Sequence, residues 1–286
     1  MLKALLILAV VITPFELLLR TPQIQAALFP PITTVFPTVG IKQYLLEQYV
    51  KQEGRLDCLI VGSSMPDRGI DPERLSAGYE QRTGKAIKCF NFAIIGFDDF
   101  DTAAILEIIV RDYHPRLLIY GTSARDFGHT PHYTEGIPWA QYQSGRPSFE
   151  GWLESSFMSY RYYLTYSSYL TDVGTEETMR SLDHLSRYGQ FQLRHTAAVD
   201  GSPERSVRAD LIRSFAKLDP RTTDMSGLER LLRLKEKGVE IVLVEMPMPA
   251  VTINFLPQAT RITAPIWIGC TATATPPERR YSRLMG

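Results

Sequence analysis

The run Leu56-Asp57-Cys58-Leu59-Ile60-Val61-Gly62-Ser63-Ser64-Met65 decides the fold. Aliphatic residues follow one another without polar alternation and stop at Gly-Ser-Ser. A strand buried on both faces reads this way, and such strands belong to parallel sheets. What leaves the strand is a tight polar turn with two hydroxyls, continued by Pro66, Asp67, Arg68 and Gly69. Open α/β sheets bind ligands beyond the carboxyl ends of their strands. A serine in this turn is therefore placed to act as a nucleophile.

The same grammar recurs downstream. Residues 86–93 run into Ile94-Ile95-Gly96, and residues 116–120 run into Gly121-Thr122-Ser123-Ala124-Arg125-Asp126. Residues 239–245 run into Met246-Pro247-Met248-Pro249. Between the second and third strands, Ala103, Ile105, Leu106, Ile109 and Val110 recur at helical spacing. Asp98, Asp99 and Asp101 fall in the first turn, where the helix dipole favours acids, and His114-Pro115 closes the helix. Residues 223–237 form another helix with Leu228, Leu231, Leu232 and Leu234 on its apolar face, and Gly238 supplies the left-handed cap. This alternation predicts an α/β fold with a mainly parallel sheet.

The chain has 286 residues, enough for one sizeable domain plus an anchor or insertion. Its 31 basic and 31 acidic residues balance and form no basic stripe, so nucleic acid is not an expected partner. Of the three cysteines, Cys58 and Cys89 fall inside predicted strands. There they behave as small buried hydrophobes; if the strands are neighbours, a disulfide is an open alternative. No cysteine or histidine spacing resembles a metal site, and no cofactor is expected.

Residues 1–20 carry Lys3 and then an apolar run from Ala4 to Ile12, the order of a signal peptide or signal anchor. The bland alternative is a buried N-terminal helix. Residues 21–52 are a Pro- and Thr-rich linker followed by a short amphipathic helix over 42–52. Residues 53–256 are the α/β domain, with an insertion at about 127–219. That insertion is rich in aromatic side chains, among them Trp139, Tyr142, Phe149, Trp152, Tyr160, Tyr162, Tyr163, Tyr166 and Tyr169. Helical patterning occurs over 157–170 and 206–218. The rings either stack on sugars in a glycan groove or pack a lid onto the sheet.

The serine turn at Gly62-Ser63-Ser64, the strand ending at Gly96, and Gly121-Thr122-Ser123-Ala124-Arg125-Asp126 together resemble the SGNH (GDSL-type) hydrolase superfamily. The likeness is to its divergent membrane-anchored branch, which includes the D-alanyl transfer protein of teichoic-acid modification, the alginate O-acetyltransferases and cyanobacterial SGNH-like proteins. The resemblance covers residues 56–249 apart from the insertion. It implies a three-layer α/β sandwich of flavodoxin-like order, an N-terminal hydrophobic helix, and a serine esterase or O-acyltransferase acting on an acylated cell-envelope glycan or lipid. It places the nucleophile at Ser64 and an oxyanion-binding N–H at Gly96. Ser123 or Arg125 stands in where the family's oxyanion asparagine is missing. Read from the residues alone, Arg125 and Asp126 either orient a substrate carboxylate or phosphate or form a structural pair tying the insertion to the sheet. It also implies a domain anchored on the extracytoplasmic, periplasmic face of a membrane, or alternatively secreted.

The family's Asp-x-x-His block is absent: no histidine follows His195 and no aspartate follows Asp224. A base from elsewhere would be His114, His129, His132, His184 or His195, with His129 and His132 nearest the third strand's end. Residues 257–286 have neither helical period nor strand alternation where a covering helix is expected. Loss of the reading frame near Pro257, or a truncated gene, is the expectation. The alternative is a natural tail on a catalytically inactive SGNH-like binding protein of envelope biogenesis.

Overall fold

The computed structural model describes residues 2–28, 37–123, 126, 136–170, 184–192 and 225–247. Four strands, β1 (Cys58–Gly62), β2 (Cys89–Asn91), β3 (Leu117–Thr122) and β4 (Glu240–Glu245), form one sheet in the order β2-β1-β3-β4. Every pairing is parallel. The α/β reading with a parallel sheet therefore holds. β1 is buried at every position, as an unbroken aliphatic run requires, whereas β4 alternates exposed and half-buried residues. The chain leaves β1 toward one side for β2 and crosses to the other side for β3. Its direction reverses between β1 and β3, where ligands of open α/β sheets bind. At that end Gly62 and Gly121 are register partners.

Three helices precede the sheet: α1 (Leu2–Leu19), α2 (Pro22–Ala27) and α3 (Pro37–Glu53). The linker stretch is thus partly helical, and α3 starts five residues before the predicted Lys42. The C-terminal half of α1 is inside out. Glu16 and Leu19 are buried, while Val10, Val11, Phe15, Leu17 and Leu18 are 51–65% exposed. Among the described residues, no helix is long and apolar enough to cross a membrane.

Between β1 and β2 lie α4 (Ser64–Gly69) and α5 (Pro72–Thr83). Asp71 caps α5 by accepting from the Glu73 and Arg74 N–H groups, and Gly84 closes it at φ +69°. Ile70 and Leu75 pack on the cluster of Cys58, Ile60, Cys89 and Ile119 on one face of the sheet. Between β2 and β3, α6 (Asp99–Tyr113) starts at Asp98, whose carboxylate accepts from the Asp101 N–H at 2.8 Å.

In the insertion, α7 (Pro138–Gln143), α8 (Phe149–Ser156) and α9 (Met158–Leu170) follow one another. The Glu16 carboxylate of α1 accepts from the Met158 and Ser159 N–H groups at 2.8 and 2.9 Å. It thereby caps α9, satisfying donors that a helix start leaves open. Arg20 adds a bond to the Ser156 carbonyl at 3.0 Å. Helix α10 (Ser226–Leu232) continues as a 3-10 turn to Lys237 and ends at Gly238, φ +81°. It docks so closely on α6 that a Cβ on Gly227 would stand 2.4 Å from the Phe100 nitrogen. The Leu228 N–H donates to Asp99 at 2.9 Å. Burial, reinforced by the Asp98 charge, still pushes the Asp99 carboxyl up to about 7.

The chain divides into two compact units. One comprises residues 1–122, 130–197 and 225–246; the other comprises 123–129, 198–224 and 247–286.

Candidate functional site

Two glycines make the turn that presents Ser64. Gly62 has φ +129°, a conformation side chains rarely adopt, and a Cβ there would stand 2.2 Å from the Gly121 carbonyl oxygen. A Cβ on Gly121 would stand 2.6 Å from Pro66 Cβ. Pro66 therefore lies directly on the glycine pair, and β1 reverses into α4 without a spacer. Ser63 occupies the N-cap position in extended conformation, though its side chain makes no capping bond. Ser64 is the first helical residue and half-buried. The helix-cap position thus falls at Ser63, not at Ser64.

Beneath α4 lies a pair that the sequence reading missed. Lys42 of α3 is fully buried, and its ammonium donates to Asp67 Oδ1 and to the Ala93 carbonyl. Asp67 is buried as well, and its Oδ2 has no hydrogen-bond partner. Burial raises the Asp67 carboxyl and lowers the Lys42 ammonium, each opposed by attraction to the other. Asp67 sits three residues after Ser64, on the same helical face. Asp67 turns inward to Lys42, while Arg68 is exposed with its guanidinium 5.4 Å from the Phe191 ring centre.

Asn91, at the end of β2, completes the scaffold. Its amide nitrogen donates to the Pro66 and Ile70 carbonyls, both at 2.9 Å, and its oxygen accepts from the Ala93 N–H at 3.0 Å. Lys42 and Asn91 thus tie α4 to the segment leaving β2 from two directions. The Ile94 N–H donates to the Gly62 carbonyl at 2.9 Å. This brings the Ile95-Gly96 turn to the same end of the sheet as Ser64. Gly96 is exposed at φ +90° with open space around its Cα.

Ser123 and Asp126 belong to the other unit. There the Ser123 N–H and hydroxyl both donate to Asp126 Oδ2, at 2.7 and 3.2 Å. Arg125, His129, His132 and His195 lie outside the described residues. His114 takes a left-handed conformation between α6 and β3, at the opposite end of the sheet from Ser64. His184 sits on a short hairpin that packs on α4. Its ring lies 5.4 Å from that of Phe191, whose N–H donates to the Asp67 carbonyl at 3.2 Å. Its Nδ1 is buried without a partner. Among the described residues no histidine is hydrogen-bonded to a carboxylate, and no group of three or more ligand side chains gathers to hold a metal.

The insertion's rings differ in exposure. Trp139 and Tyr162 are buried. Phe149 stacks on Trp152, and Tyr160 on Tyr163, with Phe149 and Tyr163 mostly exposed. No family model, curated protein or solved structure matches the chain.

Proposed function

We propose that this chain is an SGNH-like serine esterase or O-acyltransferase whose nucleophile is Ser64 and whose substrate is an acylated cell-envelope glycan or lipid. The observation that carries the reading is the Gly62–Gly121–Pro66 contact. It holds a half-buried serine at the start of a helix, beyond the carboxyl end of a central parallel strand and beside the β1/β3 switch point. In this reading Ser64 Oγ attacks the acyl carbonyl, and the N–H groups of Ser64 and Gly96 receive the oxyanion. The alcohol leaves, and water or a second hydroxyl takes the acyl group from Ser64. Removing one oxyanion donor of this kind costs about 100- to 1000-fold in rate. The sheet is the core of a three-layer sandwich of flavodoxin-like order, which the β2-β1-β3-β4 order supports.

The extracytoplasmic face is what the SGNH likeness implies, while attachment to a membrane is supported by the inside-out α1. Its apolar side chains turn outward while Glu16 turns inward to cap α9.

One observation favours a second reading, an inactive SGNH-like protein that binds an acylated glycan. No carboxylate-oriented histidine occurs among the described residues, and a serine needs such a base. Hydrolysis of p-nitrophenyl acetate by the full chain, compared with Ser64→Ala, separates the two. Turnover lost in Ser64→Ala supports the enzyme. Glycan binding unchanged in Ser64→Ala, with no turnover in either protein, supports the binding protein.

A further inference from the structure

Cys58 and Cys89 open β1 and β2 and are register partners in the parallel pair. Both side chains belong to the same cluster on one face of the sheet, with Ile60 and Ile119. Neighbouring strands run about 4.8 Å apart, inside the roughly 4.4–6.8 Å between Cα atoms that a disulfide spans. Both residues are free thiols and buried. Their mutual interaction raises the Cys58 thiol and lowers Cys89. A thiolate is the form that attacks disulfides, and that direction favours it at Cys89. Cys89 is also the first residue of a three-residue strand at one end of the sheet order, the element whose fraying exposes it most readily.

We propose that Cys58 and Cys89 are a cross-strand dithiol that closes to a disulfide when the chain meets a disulfide-bearing oxidant. The Cys89 thiolate attacks the oxidant, forms a mixed disulfide and releases one thiolate. Cys58 loses its proton and attacks the Cys89 sulfur, releasing the second thiolate. Two electrons pass to the oxidant, two protons leave, and one S–S bond joins β1 to β2. The staple sits at the amino ends of the strands, away from the Ser64 turn at their carboxyl ends, so it leaves the candidate site intact. An oxidising compartment, such as the extracytoplasmic space proposed above, is where such a pair persists closed. Register and contact bring the two thiols together whether or not Ser64 is a nucleophile.

The test exposes the full-length reduced chain to oxidised glutathione, then denatures and alkylates it and maps its peptides without reductant. The expected result is a linked Cys58–Cys89 peptide with Cys270 alkylated. The apparent Tm is expected to rise by roughly 5–10 °C over the reduced protein. Cys58→Ala and Cys89→Ala should each abolish the linked peptide and the oxidant-dependent rise. Full alkylation of both thiols, a persisting glutathione adduct without closure, or a bridge to Cys270 would overturn the proposal. Fluorophosphonate labelling of Ser64 in the oxidised and reduced protein is read separately, so failure at one site does not mask failure at the other.

Discussion

Replacing Lys42 by Met keeps the aliphatic stem and removes the ammonium that hydrogen-bonds Asp67. Lys42 and Asp67 are 0% and 1% exposed, and Asp67 Oδ2 already lacks a partner. The single variant therefore leaves a buried carboxylate uncompensated, a loss of about 3–5 kcal/mol. Asp67 limits the loss by taking up a proton, and burial already pushes its carboxyl in that direction. In the variant the folded-state carboxyl sits above its unfolded value, so folding binds a proton. The stabilising share of that proton is full in acid and is lost as pH rises through the folded value. Lys42→Met should thus be milder at pH 5 than at pH 8. The double variant Lys42→Met/Asp67→Asn buries no charge and loses mainly the Ala93 carbonyl's donor, a cost of about 1–2 kcal/mol. Urea unfolding followed by tryptophan fluorescence gives the four corners of the cycle. Asp67→Asn alone strands the Lys42 ammonium at a similar cost, so the two single losses together should exceed that of the double variant by about 4 kcal/mol or more. Additive variants, or a Lys42→Met loss below about 1 kcal/mol at pH 8, would refute the pairing.

Three other outcomes follow from contacts within the fold. Gly62→Ala combines a forbidden φ with a 2.2 Å approach to the Gly121 carbonyl, and a loss of about 3–5 kcal/mol is expected in urea unfolding; a neutral variant would mean that β1 does not turn this way. The Glu154 carboxyl, pushed up to about 7 by burial, and Asp99, likewise at about 7, keep protons in the folded state that the unfolded chain gives up near pH 4. Stability should fall as pH rises from about 5 to 8, by about 3 kcal/mol per group, and Glu154→Gln should flatten part of that slope; a flat wild-type profile would contradict it. Glu16→Ala uncaps α9 by removing the acceptor of the Met158 and Ser159 N–H groups. A loss of about 1–2 kcal/mol and faster amide exchange at those residues are expected, whereas unchanged exchange would place α1 elsewhere.

The strands were readable because burial on both faces leaves a plain mark, an aliphatic run cut off by Gly and a polar residue. The cap at Gly238 was readable for a similar reason, as a local requirement of the backbone, whereas Asp98, read as a first-turn acid, proves to be the N-cap of α6. Helix α5 carried equally good signals, Asp71-Pro72 at its start and Gly84 at its end, which belong to the same set of caps. Lys42 is a different case. It occupies one stripe with Val39, Leu46 and Tyr49, all buried, so a cation interrupts an apolar face at helical spacing. That break was the available signal. What satisfies it is Asp67, which the sequence separates by 25 residues and only the crossing of α3 and α4 brings near. Asn91 likewise earns its three bonds only from the fold. Gly121 was legible as a strand end, but its second role, receiving Pro66, depends on the register between β1 and β3.

The most direct test of the nucleophile assignment is active-site labelling of the full-length chain with a fluorophosphonate, followed by peptide mapping. One adduct is expected, on the peptide containing Ser64, that disappears in Ser64→Ala and persists in Ser63→Ala. No adduct at Ser64, or an adduct that survives Ser64→Ala, would contradict it.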